Sequence, residues 1–334
     1  MNAKITISVL ASFVIGFSIF VFVMLLPNIL HEKITTEDVD YINMQEEFFS
    51  KKFNPNEKKI FIIGSSYIMA LNSTYINNYL SKFDQNYHVY NLAILGDHIK
   101  KRSEIIDKMI SANPTIIIYG IAEEDFSEPV PVNVLSTKDM KLLPDPHNII
   151  KEWFSEAQQQ IGYKIELPQS PKAVTWKIIR DINKKESDDI RFSPYPDAPF
   201  LKILRANTVT VSDLELKNLV SYIAPLGKIE SPEKNESLST LKQIIAKLQD
   251  NNIKTIIFVV PHHKYLLDTE QKEFKESFSP IIQNIRQTGI TVYFRNDAYS
   301  DLHIWHDLTH VAVNEGSLVF SEEVAKMIVS EIEK

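Results

Sequence analysis

The chain has 334 residues, no cysteine, and a formal charge of −7 with a pI near 5.8. The lack of cysteine excludes disulfides, thiolate-zinc sites, a cysteine nucleophile and a lipoprotein-type anchor. The acidic balance argues against nucleic acid as a partner, because phosphate binding needs clustered Lys and Arg. No long basic run appears, and Lys58-Lys59 and Lys100-Lys101-Arg102 are short and read as solvated ends of elements.

From Ile5 to Leu26 no residue is charged, and Ile, Val, Phe and Leu dominate. About 20 apolar residues suffice for a helix to span the hydrocarbon core of a bilayer. The run closes on Met24-Leu25-Leu26-Pro27, bulky where a signal-peptide cleavage site wants small residues. An uncleaved transmembrane helix within residues 1–30 is therefore expected, making the lipid bilayer a partner. Lys4 and the amino terminus before the span, against Lys33 after it, orient the remainder outside the cytoplasm. Residues 31–57 are polar, end in Asn54-Pro55-Asn56, and read as a linker.

A regular alternation follows. Lys59–Ile63 reads as a strand, Ser66–Leu80 as a helix, His88–Ala93 as a strand and His98–Ser111 as a helix. Asn113-Pro114 breaks that helix before a third strand, Thr115–Tyr119. Residues 127–236 lose the pattern; they are rich in Pro and charge, with short helices expected around 148–160 and 213–223. Regularity resumes with helix Leu238–Asp250, strand Thr255–Val260, helix Glu270–Thr288, strand Ile290–Phe294 and helix Glu315–Ile332. Short β-branched runs alternating with amphipathic helices predict an α/β fold, a three-layer α/β/α sandwich on a mainly parallel sheet. The domain would run over 58–334, with 127–236 inserted at the strand edge where active-site loops sit.

Three strand-to-helix junctions are unusually polar. The first is Gly64-Ser65-Ser66-Tyr67, where a serine can be a nucleophile beside backbone N–H groups or simply an N-cap. The second, Asn91 to Gly96, has a glycine that serves a close ligand approach or merely a turn. The third is Asp307-Leu308-Thr309-His310, where the carboxylate can orient the imidazole or cap the final helix.

Taken in order, these blocks resemble those of the SGNH (GDSL-type) hydrolases over roughly 58–126 and 236–332. The tail Asp307-Leu-Thr-His310-Val-Ala-Val-Asn314-Glu-Gly316 resembles the family's last block. The resemblance implies a flavodoxin-like sheet, Ser66 as nucleophile, His310 as general base and Asp307 as its orienting group. It implies Ser66 and Gly96 N–H groups as oxyanion donors, and no cofactor. It also brings, by analogy with anchored members, a multi-pass membrane acyltransferase as partner. Two positions depart from the family: Ser65 replaces the usual aspartate, and Ala122 replaces the asparagine that would complete the oxyanion hole. Glu123 and Asp125 follow it and are candidates to line the site.

His303, His306 and His310 lie three and four apart around Asp307, a spacing that suits zinc on a helix. The stretch falls between a strand and a helix, so no metal is expected. His262 and His263, following Val260-Pro261, are candidate substrate contacts. Asn72 and Asn235 fit glycosylation acceptors in an exported domain. The expected function is a membrane-tethered serine esterase or acyltransferase. The alternative, favoured by Ala122, is a non-catalytic binding or assembly subunit.

Overall fold

The computed structural model describes residues 41–128, 191–220, 228–269 and 272–334. The chain divides into two compact units, Met1–Glu47 with Leu135–Ile182, and Phe48–Val134 with Asn183–Lys334. The first is described only over 41–47, as part of a helix at 41–50. Among the described residues no helix is long and apolar enough to cross a membrane; the run Ile5–Leu26 lies outside them.

The second unit is built on a five-stranded parallel sheet of order β2-β1-β3-β4-β5. The strands are β1 (Lys58–Ile63), β2 (Tyr87–Asn91), β3 (Ile116–Ile121), β4 (Lys254–Val259) and β5 (Thr291–Phe294). The chain moves outward from β1 to β2, then returns to β3 on the other side. The C-terminal ends of β1 and β3 thus frame the switch point at which parallel sheets bind ligands. Both faces are buried, which explains the continuous apolar runs KIFII and TIIIY. Helices Ser73–Leu80 and Leu318–Ile332 pack together, and Ile60, Ile62, Ile116, Ile118, Ile256 and Phe258 lie in one core with them. Helices Ile99–Ser111, Glu236–Asp250 and Lys272–Arg286 pack in succession on the opposite face.

Several expectations need correction. The helix expected over Ser66–Leu80 is a 3₁₀ turn, Ser66–Ile68, followed by a separate helix, Ser73–Leu80. Asn72 causes the restart: its side chain accepts the Tyr75 N–H as an N-cap. Asn235 caps helix Glu236–Asp250 in the same way and also donates to the Phe126 carbonyl. It is only 5% exposed, and both ends of its carboxamide are engaged as part of the cap. The stretch 48–57, expected as part of a linker, is folded. Phe48 sits among Phe53, Phe61, Tyr90 and Phe200 at ring-centroid distances of 5.3 to 6.0 Å.

Of the segment 127–236, the described parts have definite places. Ser127 pairs with Ile229 and the Glu128 N–H donates to the Lys228 carbonyl, so its two ends meet. Asp197 accepts the Asn91 N–H on its carbonyl, and its carboxylate lies 3.0 Å from His88, fastening 191–203 along β2. The short helix Asp213–Leu219 falls where one was expected; the region 148–160 lies outside the described residues.

Candidate active site

The first junction depends on two glycines. Gly64 has φ +148°, and a Cβ there would come within 2.7 Å of the Gly120 carbonyl oxygen. A Cβ on Gly120 would collide with Ile68. Without side chains at either position, the ends of β1 and β3 close up and the 3₁₀ turn Ser66–Ile68 lies directly on them. Ser65 occupies the N-cap position but makes no capping hydrogen bond. Ser66 turns its Oγ to His310 Nε2 at 2.8 Å.

The histidine arrives on a tight loop. Trp305 is fully buried, its indole N–H donates to the Tyr299 carbonyl, and it bridges antiparallel to Val311. The His306 N–H donates to the His310 carbonyl at 2.8 Å, closing the loop. Within it, Asp307 Oδ1 accepts the main-chain N–H groups of Thr309 and His310, both at 2.8 Å. Both carboxylate oxygens lie 2.9 Å from His310 Nδ1. A carboxylate can only accept, so Nδ1 carries the proton and Nε2 presents a lone pair to Ser66. Burial alone would push the Asp307 carboxyl up. The hydrogen bonds from His310 and from the Thr309 N–H outweigh it and hold the group well below the usual carboxylate range. Tyr67 stacks on the His310 ring at 5.1 Å and 19°. Burial, and the nearby Glu124 and Asp125 carboxylates, push its phenol well up.

Gly96 is the third residue of a turn closed by the Asp97 N–H on the Ile94 carbonyl, and its φ of +71° suits a type II turn. A side chain there would meet nothing within 4 Å, so φ, not crowding, calls for glycine. Among the described residues neither the Ser66 nor the Gly96 N–H donates a hydrogen bond. Ala122 is fully buried and offers no side-chain donor. Its own N–H goes to Asp125 Oδ2 at 2.8 Å, so Asp125 braces the end of β3. Burial pushes the Asp125 carboxyl up to about 7, with Glu124 and Asp97 adding to the rise and the Ala122 N–H opposing it. Glu123 is buried and accepts from Asn296 at 2.8 Å.

His262 and His263 were expected to touch substrate, and both lie in the wall, at 0% and 2% exposure. His262 is edge-on to Tyr67 at 5.9 Å, 3.7 Å from Glu124, and neither ring nitrogen has a hydrogen-bond partner among the described residues. Burial lowers its pKa, against the pull of Glu124. His263 uses Nδ1 to accept the Tyr265 N–H and its own N–H to hold the Leu308 carbonyl, so it supports the histidine loop. The His262 N–H donates to the Asn296 carbonyl beyond β5, so the chain after β4 is held on two sides. His303 is exposed, and among the described residues no three His, Asp or Glu side chains could hold a metal ion. Residues 205–219 edge the same loop: Val211 N–H donates to the Trp305 carbonyl, Val313 N–H to the Asn207 carbonyl, and Asn314 to Thr208 and Thr210.

No protein-family model matches this chain, and no curated protein matches it. Solved structures similar to it include a GDSL-like lipase from Bacteroides thetaiotaomicron VPI-5482, at 9% identity and TM-score 0.39, covering 87% of this chain and 98% of that one. The acetyl xylan esterase AlAXEase is 10% identical at TM-score 0.40, covering 82% and 99%. The lipase/acylhydrolase from Enterococcus faecalis is 11% identical at TM-score 0.39, covering 82% and 95%. At identities this low the chemistry has to be read from the site's own atoms.

Proposed function

We propose that this chain is a membrane-anchored serine esterase or acyltransferase of the SGNH type. The observation that carries the reading is the unbroken hydrogen-bonded chain from Ser66 Oγ through His310 to Asp307. Ser66 Oγ attacks an acyl carbonyl carbon while its proton passes to His310 Nε2. The developing oxyanion meets the Ser66 and Gly96 N–H groups. Collapse expels the leaving alcohol, which takes the proton back from His310. Water, or a sugar hydroxyl in the case of transfer, then attacks the acyl-enzyme with His310 again as base.

Ala122 sets the pace. Loss of one oxyanion donor costs about 10²–10³ in rate, so turnover is slow beside a complete site. Trapping of Ser66 by an alkyl fluorophosphonate is the test. The wild type and Ser65→Ala should label, and Ser66→Ala should not, with its fold intact. Label on Ser66→Ala, or none on the wild type, sinks the reading and favours a binding subunit.

The uncharged run Ile5–Leu26 supports attachment to the bilayer, with the domain outside the cytoplasm and an envelope glycan and a multi-pass acyltransferase as substrate and partner. The full chain is expected in the membrane fraction and digested by protease applied to intact cells. A soluble mature protein beginning near residue 30, or complete protection, would exclude this placement.

A further inference from the structure

Arg102 stands in a run of three basic residues, where solvent exposure was expected, yet its side chain is fully buried. It belongs to the first turn of helix Ile99–Ser111, on the stripe Ile99, Arg102, Ile106, Met109 that faces the sheet. Its Nη2 donates to the Gly64 carbonyl at 3.2 Å and pairs with the buried Asp97 carboxylate. Gly64 lies two residues before Ser66, and Asp97 directly follows Gly96. The Gly64 carbonyl also accepts the Ile94 N–H at 3.1 Å. Both lone pairs of this one oxygen are therefore committed to tying the second junction to the first.

Ile94 and Leu95 of the Gly96 turn pack into the core, but a side chain at Gly96 itself would find open space, so the tip that carries the N–H is not packed from outside. Buried ion pairs are poor stabilisers compared with apolar residues of similar volume, which makes stability alone a weak reason for this one. With Ala122 silent, two N–H groups from two separate turns must share one oxyanion, and their spacing is set by whatever joins those turns.

We infer that Arg102, through Asp97 and the Gly64 carbonyl, is a positioning residue that fixes the Ser66 and Gly96 N–H groups relative to each other. This rests on the reading of Ser66 as nucleophile. It acts before any substrate arrives, and its effect falls on the step in which the tetrahedral centre forms. Initial binding makes no use of it.

The experiment uses the full chain and an alkyl fluorophosphonate, resolving the first-order labelling rate from the half-saturating concentration, with urea unfolding of each protein alongside. Arg102→Met alone strands Asp97 and is expected to destabilise the fold. Arg102→Met with Asp97→Leu removes both charges and should recover most of that stability. The pair variant should still label about 10- to 100-fold more slowly than wild type, the scale of an ångström's misplacement, with the half-saturating concentration within about twofold. Arg102→Lys keeps the charge but not the planar fork and should fall between. A folded pair variant that labels at the wild-type rate overturns the inference. So does Arg102→Lys at the wild-type rate, which decides the matter if the pair variant does not fold. An unlabelled wild type, or a labelled Ser66→Ala, instead removes the reading of the site beneath it.

Discussion

Asp307→Asn is expected to lower the rate of Ser66 phosphonylation by about 10⁴ while leaving the fold in place. The reason lies in which atom of the new carboxamide faces the imidazole. Asp307 Oδ1 is held by the main-chain N–H groups of Thr309 and His310, both of which can only donate. An asparagine keeps its oxygen on those two donors and turns its NH₂ toward His310 Nδ1. Two donors cannot share that contact, so Nδ1 gives up its proton and the imidazole carries it on Nε2. The nitrogen 2.8 Å from Ser66 Oγ then has no lone pair for the serine proton. A labelling rate within tenfold of wild type would show that Asp307 caps the loop without setting the tautomer.

The triad was legible because each part carried a local signal. Ser66 follows an apolar run and a glycine, and Asp307 and His310 are three residues apart before the last amphipathic helix. Their meeting across 244 residues follows from parallel topology, which gathers strand ends on one edge. What supports the triad was not legible in the same way. Arg102 was read by its neighbours Lys100 and Lys101 as solvated, although its spacing of three from Ile99 and four to Ile106 put it on the buried stripe. That spacing was the signal that could have found it. Asn235 shows a similar competition: Asn-Glu-Ser matches a modification pattern, but the same asparagine before an amphipathic run is also a helix cap. The histidines at 262 and 263 were misplaced because exposure after a strand is decided by what folds back over it. Here those are Tyr67, Glu124 and Asn296 around His262 and the 305–311 loop beside His263, all remote in sequence. The segment 191–212 had no periodicity to read, since its bonds to β2 and to the Trp305 loop are single contacts with distant partners.

The second large effect concerns stability and pH at the end of β3. Asp125 is raised to about 7, first by burial and then by Glu124 and Asp97, against an ordinary aspartate value near 3.9 in the unfolded chain. The folded state therefore binds a proton that the unfolded state releases between those two values. Stability from neutral Asp125 is complete below pH about 4 and is lost as pH rises through about 7. His262, whose pKa burial lowers, has the opposite slope, so the wild-type profile is a sum of both. Asp125→Asn isolates one contribution. Its carboxamide oxygen can still accept the Ala122 N–H at the end of β3, but it never takes the buried charge. Urea unfolding should find the two proteins closest below pH 4, and by pH 5 the wild type already trails by about 1.5 kcal/mol, roughly one unit. From pH 5 to pH 8 the variant should gain about 2–3 kcal/mol more on the wild type, roughly two units at 1.36 kcal/mol each. A difference that stays constant from pH 5 to 8 would mean that Asp125 is ionised throughout, with its charge met by the N–H groups at the start of the Glu123–Phe126 turn, the Ala122 N–H among them, rather than suppressed by burial.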